Sequence, residues 1–224
     1  MDLTTAQILS QKLQMSLDQV VREEYEILLL KEIFESEYGT GLVFKGGTAL
    51  RLVYNSPRFS EDLDFTLIKD FGKEKFISFL KELEKKYPAI TTVEANEKHY
   101  TIFGLVKIKE DYLDHSFSVK VEASKREGEW LKTRDYSDKI IKSEVTPLTV
   151  LAQVASLERI LLEKEDAIKN RKAPRDIFDH WYINQILKKE VKPSFEGYDK
   201  EHAKAELHKL LARPFWRIVD LWLE

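Results

Sequence analysis

The stretch Leu42-Val-Phe-Lys-Gly-Gly-Thr-Ala-Leu50 decides the fold prediction for this chain. An apolar run, two adjacent glycines and a helix-like segment predict a strand, a tight turn and a helix whose first backbone amides are free. Free amides at a helix start bind phosphate oxygens. Gly46, Gly47 and Thr48 are therefore candidate phosphate-binding residues, through backbone amides and one hydroxyl.

A second stretch, Arg58-Phe-Ser-Glu-Asp-Leu-Asp-Phe65, contains paired acids. Side chains alternate along a strand, so Asp62 and Asp64 project from one face while Leu63 and Phe65 pack on the other. Two carboxylates on one face are candidate ligands for a divalent metal ion such as Mg²⁺ or Mn²⁺.

A third stretch, Ser118-Val-Lys-Val-Glu122, predicts another strand with polar residues on one face. Glu122 is the candidate third metal ligand, or the base for an attacking hydroxyl, and Lys120 is a candidate phosphate contact on the same face. Paired strand carboxylates beside a phosphate-binding turn are what nucleotidyl transfer with two metal ions requires. Each short motif is also common as ordinary turn or solvated strand, so the argument depends on their combination.

Composition bounds the remaining possibilities. The 224 residues are 43% hydrophobic and 33% charged with a net charge of −3, which is typical of a folded globular protein without a general attraction for nucleic acid. The absence of cysteine excludes disulfides, thiolate nucleophiles and cysteine-bound zinc. No signal peptide or membrane-length apolar run is recognised, so we expect a cytoplasmic protein with no membrane partner.

The order of predicted elements indicates an α+β fold. Strands and helices alternate up to Val145 and predict a mixed sheet with flanking helices. Thr146-Pro147 matches an N-cap followed by a first-turn proline, which predicts a helix from about Pro147 to Lys169 and a helical region to the end. The expected domains are residues 1–145, with the mixed sheet, and residues 146–224, all-helical.

The first two stretches resemble the nucleotidyltransferase toxins of the AbiEii/AbiGii family, within the polymerase-β-like nucleotidyltransferase superfamily. The resemblance implies a nucleotidyltransferase-like N-terminal domain and a helical domain that contributes to the nucleotide site. It adds Lys164 and Asp179 as catalytic residues, with Asp176 as the competitor of Asp179. Arg58 or Arg171 is a further candidate contact for phosphate or an RNA acceptor. From the residues alone, Lys164 would be a solvated lysine and Asp179 would pair with Arg175 on a helix surface.

The function implied by the resemblance is Mg²⁺-dependent transfer of a nucleoside monophosphate from an NTP to a hydroxyl, with release of pyrophosphate. The acceptor would be an RNA, tRNA included, or a protein, and a cognate antitoxin would be the partner in a toxin–antitoxin or phage-defence pair. One alternative is a nucleotide- or RNA-binding regulatory module without turnover. Another is an interaction protein whose acidic strand face is only solvated.

Overall fold

The fold is a mixed α+β arrangement in which helices flank one seven-stranded sheet. It is seen in a computed structural model that describes residues 1–69, 71–126 and 128–224. The strands are β1 (Leu42–Lys45), β2 (Asp62–Leu67), β3 (Ile90–Glu97), β4 (Thr101–Ile108), β5 (Phe117–Ser124), β6 (Tyr136–Ser143) and β7 (Thr146–Ala155). The helices are α1 (Leu3–Leu13), α2 (Leu17–Glu35), α3 (Gly46–Tyr54), α4 (Lys73–Lys86), α5 (Leu157–Asn170), α6 (Pro174–Ile186), α7 (Lys200–Leu210) and α8 (Trp216–Leu223). Within the described ranges, no helix combines the length and apolar character needed to cross a membrane.

The strand order is β3-β4-β5-β2-β1-β7-β6. β1 runs antiparallel to β2 and parallel to β7, and β2 runs parallel to β5. The short strands β1 and β2 therefore lie at the centre, where their neighbours protect both edges. This placement puts the paired aspartates of β2 directly between β1 and β5.

The alternation predicted for β2 is confirmed. Leu63 and Phe65 are fully buried, and the Phe65 ring lies 6.0 Å from Phe34 of α2 and 5.5 Å from Phe44 of β1. Because α2 covers this apolar side, Asp62 and Asp64 are directed to the opposite face of the sheet. The core thus fixes which face carries the acids.

The helix predicted from Pro147 is wrong, since residues 146–155 form β7. Val150, Ala152 and Val154 are buried while Thr149 and Leu151 are exposed, which is the two-residue period of a strand. Pro147 is tolerated because the β6–β7 register is interrupted between Lys142 and Ser143, at the end of the hairpin that contains the proline.

Helices alone follow β7 among the described elements, beginning with α5 at Leu157. A second apolar cluster lies among these helices and includes Phe178, Phe195 and Leu207. Ile160 and Ile183, however, belong to the main core with the sheet. The division at residues 145 and 146 falls in the β6–β7 hairpin, so the separate helical domain stays a prediction.

Candidate active site

Strand register brings the predicted acids together. In the parallel β2–β5 pair, Asp62 lies opposite Lys120 and Asp64 lies opposite Glu122. On the other side of β2, Lys45 lies opposite Asp64. Side chains at paired positions share one face of the sheet, so two strands far apart in sequence build one polar surface. We call Asp62, Asp64, Lys120 and Glu122 the carboxylate face.

Lys120 joins two of these acids. Its Nζ lies 3.0 Å from Oδ2 of Asp62 and 3.1 Å from Oε2 of Glu122. The side chains are partly exposed, at 31% for Lys120, 39% for Asp62 and 30% for Glu122. Burial would lower the pKa of Lys120, but the Asp62 carboxylate and the hydrogen bonds to both acids raise it. Lys120 is therefore a protonated cation between two carboxylates.

Asp64 has a different electrostatic environment. Burial and the nearby Asp62 carboxylate raise the pKa of Asp64 to about 6, against a smaller opposing effect of Lys120 and Lys164. Burial, more than repulsion by Asp62, thus disfavours the ionised form of Asp64. A further cation at Asp64 would stabilise that form.

The glycine turn meets the carboxylate face at the start of α3. Gly46 has φ +81°, and a Cβ at this position would lie 2.5 Å from Oδ2 of Asp64. Only glycine both adopts this backbone conformation readily and lets the carboxylate approach so closely. The hydroxyl of Thr48 donates a hydrogen bond to the backbone carbonyl of Asp62. Thr48 therefore holds α3 against β2, and its predicted hydroxyl contact with phosphate stays a prediction.

Arg58 is buried, at 1% exposure, and faces the helices. Its Nε and Nη2 donate to the two carboxylate oxygens of Asp179 on α6 at 2.6 and 2.7 Å, and its Nη1 donates to the carbonyl of Phe59 at 2.8 Å. A Cβ on Gly47 would lie 2.8 Å from Oγ of Ser60 and closer still to Nη2 of Arg58. Arg58 thus spans from the glycine turn to α6, without solvent access for the predicted phosphate contact.

Lys164 and Asp179 continue this contact. Nζ of Lys164 lies 2.7 Å from Oδ2 of Asp179 and 2.9 Å from Oδ1 of Asp176, while Arg171 donates to both oxygens of Asp176. Burial would raise the pKa of Asp176, but Arg171 and Lys164 lower it to about 2. We call Arg58, Asp179, Lys164 and Asp176 the buried ion network.

Two expectations from the sequence alone are corrected by this network. Lys164 is 8% exposed and not a solvated lysine. Arg175, expected to pair with Asp179, instead donates to Glu206 at 2.7 Å. Both aspartates of α6 are fully buried and ion-paired, so Asp176 and Asp179 contact Lys164 together.

A pocket of about 540 Å³ adjoins the carboxylate face. Thr66 and Ser124 line it and lie opposite each other, two residues beyond Asp64 and Glu122 on the same strands. Its remaining lining residues come from β1, α5 and nearby loops: Lys45, Arg126, Trp130, Arg159, Leu162, Glu163, Asp166, Ala167, Asn170 and Arg171. Four of these twelve lining residues are basic and two are acidic, which suits an anionic ligand.

Sequence reasoning missed most of this pocket. Lys45 donates to Glu163 of α5 at 2.7 Å, and the Arg159 guanidinium lies 4.5 Å from the ring centre of Trp130. Lys45 had one available signal, since it ends the strand just before the glycines. Trp130 and Arg159 belong to no local sequence pattern, because they are far apart in the chain and only the packing of α5 brings them into contact.

The residue types of the carboxylate face fit Mg²⁺ or Mn²⁺. All three acids offer oxygen ligands, which hard divalent cations prefer. In the described part of the chain, no group of three or more acidic or histidine side chains is already arranged for a metal ion. The ammonium of Lys120 instead lies between Asp62 and Glu122.

Solved structures share this fold. JHP933 from Helicobacter pylori superposes with a TM-score of 0.61 at 19% identity, covering 93% of this chain and 90% of that one. MenT4, a nucleotidyltransferase toxin from Mycobacterium tuberculosis H37Rv, superposes with a TM-score of 0.57 at 18% identity, covering 92% and 84%. At these identities the likeness establishes the fold alone. Among curated proteins, no sequence matches this chain significantly.

The family comparison extends further than the fold. The sequence profile described as "Nucleotidyl transferase AbiEii toxin, Type IV TA system" matches residues 28–217. That range contains the glycine turn, the carboxylate face and the buried ion network. The chain therefore belongs to the AbiEii family of nucleotidyltransferase toxins and is a nucleotidyltransferase.

Proposed function

We propose that this enzyme transfers a nucleoside monophosphate from an NTP to a hydroxyl of a macromolecular acceptor and releases pyrophosphate. The observation that carries the proposal is the β1–β2–β5 register, which places Asp62, Asp64 and Glu122 on one face beside the start of α3. The oxygen of the hydroxyl attacks the α-phosphorus, and the bond from that phosphorus to the bridging oxygen breaks. The proton of the hydroxyl passes to a carboxylate.

The carboxylate face supplies the ligands and the base in this proposal. Asp62 and Asp64 bind the metal ions, and Glu122 is the third ligand or the base. Mg²⁺ or Mn²⁺, when bound there, supplies positive charge to the α-phosphate and the leaving pyrophosphate. The amides of Gly46 and Gly47 bind phosphate oxygens, because α3 begins there with free N–H groups.

The helices complete the proposed nucleotide site. Lys164 of α5 lies near enough to Asp64 to lower its pKa, and its ammonium is held by Asp176 and Asp179. In this proposal it supplies positive charge beside the carboxylate face. Asp179 and Arg58 act on the reaction through their contacts with Lys164 and with the glycine turn, which makes them positioning residues. The nucleoside occupies the pocket between the sheet and α5, so the proposed helical domain closes one side of the site.

The biological role in this proposal is that of the toxin of a cytoplasmic toxin–antitoxin pair that acts in phage defence. Membership of the AbiEii family supports a toxin with a cognate antitoxin. The acceptor is an RNA, with tRNA included, or a protein. Both classes are compatible with a site that opens to solvent at Asp62.

The test is transfer of label from each α-³²P-labelled NTP with Mg²⁺ and with Mn²⁺, using total RNA and RNA-free cell lysate as separate acceptors. We expect label in one acceptor class and loss of at least about 1,000-fold in rate for Asp64→Asn, since this change removes a carboxylate ligand of the metal ions that stabilise the transition state. The acceptor that becomes labelled distinguishes RNA from protein.

The matched control is Asp138→Asn, which removes an exposed acid from another strand of the same sheet. It should retain the wild-type rate. Equal labelling by wild type and Asp64→Asn would contradict the site. NTP binding without pyrophosphate release under any acceptor would support the binding-module alternative.

A further inference from the structure

Lys120 stands out among the charged residues because it occupies the middle of the proposed metal-binding surface. Its Nζ lies within 3.1 Å of carboxylate oxygens on two neighbouring strands. The backbone register, with Asp62 directly opposite Lys120, brings the ammonium within reach of both acids. The ammonium is favourable at this position because it reduces the repulsion among three neighbouring carboxylates.

The same position is unfavourable for a metal ion. A divalent cation at Asp62 or Glu122 would share the carboxylate with Lys120, which contacts Oδ2 of Asp62 and Oε2 of Glu122, and it would lie a few ångströms from a positive charge. Two like charges at such distances repel strongly even at a partly exposed site. The ammonium and the metal ion therefore compete for the same two carboxylates.

We propose that Lys120 is an internal counter-ion of the carboxylate face: it releases Asp62 and Glu122 when a divalent ion binds, and its ammonium then binds the triphosphate. This inference rests on the proposed function, because it takes the carboxylate face as the metal site. It extends that function by making Lys120 a residue with two binding positions.

The difference in solvent exposure explains why Lys120 can move whereas Lys164 cannot. Lys120 is 31% exposed on a flexible four-carbon stem, whereas Lys164 is buried between two aspartates that are themselves fully buried. The start of α3 is joined to β2 through the hydrogen bond from Thr48 to the carbonyl of Asp62, the residue opposite Lys120. A displaced ammonium therefore has the phosphate-binding turn at its own end of β2.

The experiment measures Mn²⁺ affinity without nucleotide, by calorimetry and by electron paramagnetic resonance of free Mn²⁺, in the full-length chain. Lys120→Met keeps the apolar stem and removes the charge, so we expect about tenfold tighter Mn²⁺ binding from the loss of repulsion. Lys120→Arg keeps the charge and should bind Mn²⁺ like wild type. Lys139→Met, which removes an exposed lysine from the edge strand β6, is the matched control and should not change affinity.

A second measurement tests the other position of Lys120. With saturating Mn²⁺ and an NTP whose α–β bridging oxygen is replaced by CH₂, Lys120→Met should bind the nucleotide about tenfold more weakly than wild type because one phosphate contact is lost. Tighter metal binding together with weaker nucleotide binding is the signature of an ammonium that alternates between them. A lysine that only supports the fold would change neither.

The outcomes separate this inference from the proposed function. If Lys120→Met binds Mn²⁺ no more tightly than wild type while transfer by wild type is intact, the counter-ion role is wrong and the enzyme assignment stands. If Mn²⁺ affinity rises as expected but wild type transfers no nucleotide to RNA or protein, the transfer reaction is wrong and the counter-ion role stands. Unchanged nucleotide affinity in Lys120→Met would overturn the second position alone.

Discussion

The carboxylate face and the buried ion network contain the same kinds of charge at similar distances, yet water reaches only one of them. Lys120 lies 3.0 Å from Asp62 with both side chains partly exposed, and Lys164 lies 2.7 Å from Asp179 with both buried. An exposed pair is screened and contributes little to stability, whereas breaking a buried pair leaves an uncompensated charge. The first arrangement can therefore rearrange around a ligand, and the second fixes one geometry.

This difference divides the work of the site between two regions. The buried ion network connects the loop before β2, through Arg58, to α6, through Asp179. Phe59 also donates its backbone amide to the carbonyl of Leu210, and the hydroxyl of Tyr182 donates to the carbonyl of Tyr54. The helices are held rigidly against the sheet at these points. The acids that need to exchange partners during binding lie on the exposed side.

The largest expected effect comes from breaking the network. Asp179→Asn leaves Arg58 and Lys164 buried with less negative charge, so we expect the free energy of unfolding to fall by about 3–5 kcal/mol. Urea unfolding followed by circular dichroism measures this. The exposed counterpart, Asp62→Asn, should cost less than about 1 kcal/mol. Equal losses for the two variants would remove the distinction between the regions.

A smaller effect is expected where the network meets the glycine turn. Gly47→Ala should lower the free energy of unfolding by about 1–3 kcal/mol, since the added Cβ meets the Arg58 guanidinium that Asp179 holds in place. The cost should be smaller in an Arg58→Lys background, because lysine lacks the second arm of the guanidinium. Strict additivity in this double-mutant cycle would show that Arg58 does not restrain the turn. Gly128→Ala, where a Cβ would make only ordinary contacts, is the control.

The smallest expected effect is a gain in stability when the charge of Asp64, on the carboxylate face, is removed. The pKa of Asp64 is raised to about 6 in the folded state, so its ionised form is disfavoured by folding, and its contribution becomes more destabilising as pH rises from about 4 to about 6. Asp64→Asn should therefore be more stable than wild type by about 1–2 kcal/mol at pH 7.5, with the difference vanishing near pH 4. Chemical denaturation at the two pH values, without metal ions, tests this.

The control for the pH effect is Asp138→Asn, which should change stability by less than about 1 kcal/mol at either pH. If the stability difference between wild type and Asp64→Asn did not depend on pH, the ionised carboxylate of Asp64 would not be the cause of the destabilisation. If the pH-dependent difference is found, Asp64 is both the residue on which transfer depends most and one whose ionised carboxylate lowers the stability of the fold.

Much of the sheet centre was predictable from the sequence. The alternation of Asp62 and Asp64 with Leu63 and Phe65 follows from a two-residue period that burial confirms. The helix α3 was predictable from the two glycines and the helix-like segment that follows them, although it begins at Gly46 itself. In contrast, Thr146-Pro147 carried a strong helix-start signal that sheet pairing overrode, because β7 gains hydrogen bonds from both β1 and β6.

The sequence by itself determined the strand–turn–helix and the paired aspartates, because each depends on residues close together along the chain. It also determined the family, through a match over residues 28–217. Only the tertiary structure decided that Lys120 lies between Asp62 and Glu122, and that Arg58 forms a buried ion pair with Asp179. Those pairings join residues far apart in sequence, and their consequences depend on burial. Local patterns do not encode burial of a charge, since the cost of removing it from water is set by everything packed around it.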